Sequence, residues 1–60
     1  MPTADDLAAA LRQAREAFEA ATRGGGAACG SAPAADAYAG LRSALLAELD
    51  ACLAVLDGAQ

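Results

Sequence analysis

Histidine, lysine and tryptophan are absent from this 60-residue chain. Without histidine there is no imidazole base, no nucleophile–His–acid triad and no histidine metal ligand. The two cysteines, Cys29 and Cys52, fall short of the four Cys/His ligands of a tetrahedral structural zinc site. Phe18 and Tyr38 are the only aromatic residues. No run approaches the ~18–20 apolar residues of a membrane-spanning helix; the longest strongly apolar stretch is Ala51–Leu56. Eight acids against four arginines give a net charge of −4. Arg12, Arg15 and Arg23 alternate with Glu16 and Glu19, so no basic patch suited to nucleic acid forms. The same excess of acid speaks against a membrane-surface helix, whose polar face is rich in Lys and Arg.

Parts of an active site are equally scarce. Gly24–Gly25–Gly26 has no strand before it, and a GxGxxG register begun at Gly24 meets Cys29 in place of its last glycine. The glycines read as a helix breaker. The carboxylates fall on solvated helix faces, where acids keep ordinary pKa values. The expectation is therefore a chain without catalysis, cofactor, metal or small-molecule substrate. Asp5 and Asp6 stand where a secretory leader carries its basic region. The expected setting is thus the cytoplasm or another reducing intracellular compartment. Cys29 reads there as a loop thiol and Cys52 as a small hydrophobe among leucines. A Cys29–Cys52 disulfide, closing a loop of more than twenty residues, stays open as an alternative.

What the chain does have is alanine, a third of its residues, and alanine is the best helix former. Thr3 with Asp6 is a capping-box variant, and Asp5 and Asp6 set negative charge against the positive end of a helix. A helix over residues 4–22 follows, stopped by the three glycines. Leu7, Leu11, Ala14, Phe18 and Ala21 share one stripe at helical spacing. Arg12, Arg15, Glu16, Glu19 and Asp5 take the other side. Arg12–Glu16, Arg15–Glu19 and Glu19–Arg23 are spaced for i,i+4 pairs.

Residues 23–33 read as a linker of Gly, Ala, Ser and Pro, long for a helix–helix connection. Pro33 suits the first turn of the next helix, with Ser31 or Ala32 as its cap. The second helix is expected over residues 34–57, with Gly58 just past its end. Its apolar face holds Tyr38, Leu41, Leu45, Leu46, Leu49, Cys52, Leu53, Val55 and Leu56. This face spans about 140°, wider than a coiled-coil seam. Arg42 sits on its edge, its stem able to pack while its head reaches water. The opposite stripe is Ala37, Gly40, Ala44, Ala47, Ala51, Ala54 and Gly58. It reads either as plain helix propensity or as a smooth groove for another helix. Asp57 lies at the wrong end of the helix dipole.

The two helices do not balance. Leu7, Leu11 and Phe18 are the only large apolar residues available to cover nine on the second helix. Chains this short bury only about 60% of their unfolded surface and are marginal alone. The expected fold is all-α, a two-helix antiparallel hairpin that completes a helical bundle with another chain. The expected role is a small interaction or assembly subunit. Its interface core would be Leu41, Leu45, Leu46, Leu49, Leu53 and Leu56, with Tyr38 and Arg42 at the rim. A protein partner in a hetero-complex is preferred to a homodimeric four-helix bundle, because an alanine face gains little from self-association. The rival reading is a thiol-based redox regulator acting through Cys29, Cys52 or both.

Overall fold

The structure, a computed structural model, describes residues 1–58. Helix α1 runs Ala4–Thr22 and helix α2 Ala32–Gly58, packed against each other with a short 3₁₀ helix, Gly25–Cys29, between them. Among the described residues there is no strand.

The capping box at the start of α1 is complete. The Asp6 amide donates to Thr3 Oγ1 and the Thr3 amide to Asp6 Oδ2, both at 3.1 Å, so two amides that no helix turn can reach find acceptors. Helix α2 begins at Ala32, two residues earlier than the periodicity predicts. Ser31 is its cap, with the Ala34 amide donating to Ser31 Oγ at 3.3 Å. Gly58 is still helical rather than lying past the end.

The connection is more ordered than its composition suggests. Gly24 and Gly30 bracket the 3₁₀ helix at φ 75° and 81°, a left-handed backbone that residues with a Cβ rarely adopt. These two bends fold the segment back onto the first turns of α2, where Gly26 approaches Ala35. The two cysteines are free. At about 1.5 Å per residue, the length of α2 separates them by roughly 30 Å, far beyond disulfide reach.

The face of α1 turned toward α2 differs from the expected stripe. Its covered residues are Ala4, Ala8, Leu11, Arg15, Phe18 and Thr22, spaced four and three, with Glu19 beside them. Ala14 and Ala21 are exposed, and Leu7 remains 45% exposed. At 100° per residue the observed seam is rotated by about 60° from the predicted one. On α2 the covered residues are Ala34, Ala35, Tyr38, Arg42, Leu46, Leu49, Leu53 and Leu56.

The rotated seam brings charges together across the hairpin. Arg12 pairs with Asp57 at 2.7 Å and Arg15 with Asp50 at 2.6 Å, both across the hairpin. The expected Arg12–Glu16 and Arg15–Glu19 pairs within α1 give way to these. Asp57, at an unfavourable end of its own helix, is compensated by the neighbouring one.

Two helices make one layer, and one layer has no interior. The molecule measures 44 × 16 × 14 Å with a radius of gyration of 14.2 Å, against about 10 Å for a compact chain of this length. Its 4147 Å² of accessible surface exceeds by roughly 600 Å² what a compact protein of this mass shows. Among the described residues only Ala8 is fully buried.

Candidate interaction surface

The hairpin has two unlike flanks. One carries the interhelical pairs Arg12–Asp57 and Arg15–Asp50. The other, by the helical positions of its residues, is apolar. On α2 it presents Leu41, Leu45 and Val55 at 63%, 43% and 72% exposure, with the Cys52 thiol also exposed. Leu7 of α1 continues it toward the open end. Two shallow grooves indent this flank. One is lined by Leu11, Ala51, Cys52, Val55 and Leu56, the other by Phe18, Thr22, Tyr38, Leu41, Arg42 and Leu45. The aromatic residues Phe18 and Tyr38 thus meet at the loop end.

The leucines expected at an interface divide into two sets. Leu41 and Leu45 are free on the apolar flank. Leu46, Leu49, Leu53 and Leu56 lie half-buried in the seam with α1. Tyr38 and Arg42 have an intramolecular task that the periodicity does not reveal. Helix α1 ends at Thr22 with no basic residue in its last turn, so its last carbonyls lack partners. The Arg23 amide turns to the Ala20 carbonyl. Arg42 of α2 then donates Nη2 to the Glu19 carbonyl at 2.9 Å and Nε to Thr22 Oγ1 at 2.8 Å. The Tyr38 hydroxyl donates to the Thr22 carbonyl at 3.0 Å. A cation and a phenol from the second helix thus cap the negative end of the first. Val55, Cys52 and Leu7, which belong to the exposed flank, were outside the expected interface. Leu7 is left exposed by the rotation of the α1 seam, and Cys52 and Val55 stand on the side of α2 away from its covered row.

Glu19 is the electrostatic junction of this end. Arg23 and Arg42 both pair with its carboxylate. The Arg23 hydrogen bond, with support from Arg42, holds Glu19 below the usual carboxylate range despite partial desolvation. A depressed folded pKa gives stability that is present above the unfolded value and lost as pH falls through the folded one. Helix content is therefore expected to fall on acidification below the ordinary glutamate range, near pH 4. A Glu19→Gln variant should melt lower at neutral pH and lose less on acidification. Circular dichroism between pH 7 and 2 checks this, and parallel curves for the two proteins would contradict it.

Among the described residues no cluster of three or more His, Cys, Asp or Glu is placed to hold a metal ion, and no helix is long and apolar enough to cross a membrane. Comparison with protein-family models, curated proteins and solved structures found no match.

Proposed function

We propose that this chain is a small interaction or assembly subunit, without catalysis of its own, whose leucine-rich α2 packs on partner helices in a larger complex. One observation carries the reading. Leu7, Leu41, Leu45, Cys52 and Val55 lie together in solvent on one flank of a hairpin too thin to own a core. Isolated exposed leucines are ordinary, but five apolar residues gathered on one flank, with Glu48 the one charge among those of α2, mark an interaction site. A helical partner laid along it would complete the cover of Leu49 and Leu56, the half-buried leucines nearest that flank, and give the hairpin a core, as in a bundle. The alanine stripe beside it lets a second helix come close.

Light scattering and circular dichroism across a dilution series of the purified chain test this. The expected result is a partly helical monomer with a low thermal midpoint, which lacks its partner. Helix that appears with concentration and is lost on dilution would make the partner a second copy. A stable, fully helical monomer would refute the proposal, since the exposed flank would then need no cover.

A further inference from the structure

The charges of the hairpin specify what covers its apolar flank. The exposed stripe of α2 is Leu41, Leu45, Glu48, Cys52 and Val55. Leu41 and Val55 each stand seven residues, two turns, from Glu48, so the carboxylate occupies the centre of the stripe. Around this half of α2 the other residues after Asp36 are alanine and glycine, and Glu48 is its one charge. None of the ion pairs among the described residues involves Glu48. All four arginines are already engaged, Arg12 with Asp57, Arg15 with Asp50, and Arg23 and Arg42 with Glu19. The amine of Met1 lies beyond Asp57, itself about 13 Å along the helix from Glu48.

We propose that the occupant of this flank is an apolar helix of a different protein carrying a Lys or Arg opposite Glu48, and not a second copy of this chain. The proposal rests on the interaction-subunit reading and names the chemistry of the partner. An acid at the middle of an apolar interface is costly unless a cation meets it. A second copy brings no spare cation. Because the stripe is symmetric about Glu48, antiparallel self-pairing sets Leu41 against Val55 of the copy and Glu48 against its own counterpart at the two-fold axis. Like charges placed so work against the wrong partner while an opposite charge favours the right one. The size is sufficient. A flank 44 Å long and 16 Å wide offers roughly 700 Å², near the ~800 Å² that each partner contributes to a standard interface.

The full chain with Glu48→Arg serves as a surrogate partner, offering the same apolar stripe with a cation at its centre. Wild type, Glu48→Arg, their equimolar mixture and Glu48→Leu are compared by sedimentation, with circular dichroism on the same samples. The expected result is that wild type and Glu48→Arg each stay monomeric, and the mixture forms a heterodimer with gain of helix. Its apparent affinity should exceed that of either self-pair by on the order of tenfold or more, decreasing with salt. Glu48→Leu should self-associate, which shows that the flank is competent once its acid is gone. Wild type dimerising as tightly as Glu48→Leu would overturn the cationic partner while leaving an interaction subunit that pairs with itself. Failure of every sample to associate, Glu48→Leu included, would overturn both.

Discussion

Gly25→Ala is expected to lower the thermal midpoint by roughly 5–15 °C, the equivalent of about 1–2 kcal/mol in a chain of this size. The cause is a collision and not backbone strain, since Gly25 is not among the residues with positive φ. A Cβ placed there would stand 2.1 Å from the Tyr38 hydroxyl and 2.4 Å from the ring carbon that bears it. The ring has to leave, and its bond to the Thr22 carbonyl leaves with it. Tyr38→Ala in the same chain removes the obstacle. In that background Gly25→Ala should be neutral or slightly stabilising, because alanine restricts the unfolded chain more than glycine. The sign reversal is a coupling between the two sites that a double-mutant cycle measures. With no tryptophan present, Tyr38 is the sole long-wavelength emitter, and its fluorescence reports the displacement directly. Equal destabilisation in both backgrounds would place the effect in the backbone and contradict the collision.

Arg42→Met should have the largest effect of any charge removal. Methionine keeps an apolar stem of similar length but gives up the donors to the Glu19 carbonyl and Thr22 Oγ1. Bonds of this charged type are worth about 1.5–3 kcal/mol when lost from a partly covered site. The consequence is local. The last turn of α1 should fray, seen as faster hydrogen exchange at the amides of residues 20–23 with the capping-box end unchanged. Arg42→Lys keeps the charge but lacks the planar fork and should fall between the two. Asp50→Asn makes the contrast, because Arg15–Asp50 is exposed and screened by water and salt. Should Arg42→Met exchange like wild type, the capping role falls.

These effects were not visible in the linear sequence, although much of the fold was. Thr3 and Asp6 announced the capping box, and alanine with spaced leucines announced two helices, because capping and periodicity act within a few residues. The Gly-rich stretch was legible as a break but not as a 3₁₀ helix docked on α2. Its packing depends on Tyr38 and Ala35 coming back from the next element. Spacing within α1 offers Arg12 and Arg15 acids four residues away. Their acids turned out to lie 45 and 35 residues on.

For the candidate surface the division is similar. The imbalance between the apolar residues of the two helices already implied uncovered leucines. Which ones stay uncovered depended on a rotation of about 60°, and periodicity cannot fix it because Leu7 and Ala8 differ by one step of 100°. Two capped helices, a glycine break and an apolar surplus are consequences of local sterics and composition, and the linear chain encodes them. The tertiary structure alone decided that the arginines of α1 reach across to α2. The same packing turns Leu46, Leu49, Leu53 and Leu56 inward, leaves Leu41, Leu45, Cys52 and Val55 in water around Glu48, and gives Arg42 and Tyr38 the end of α1 to close. Interhelical ion pairing and carbonyl capping require two distant segments to meet, and no local pattern encodes the angle at which they do.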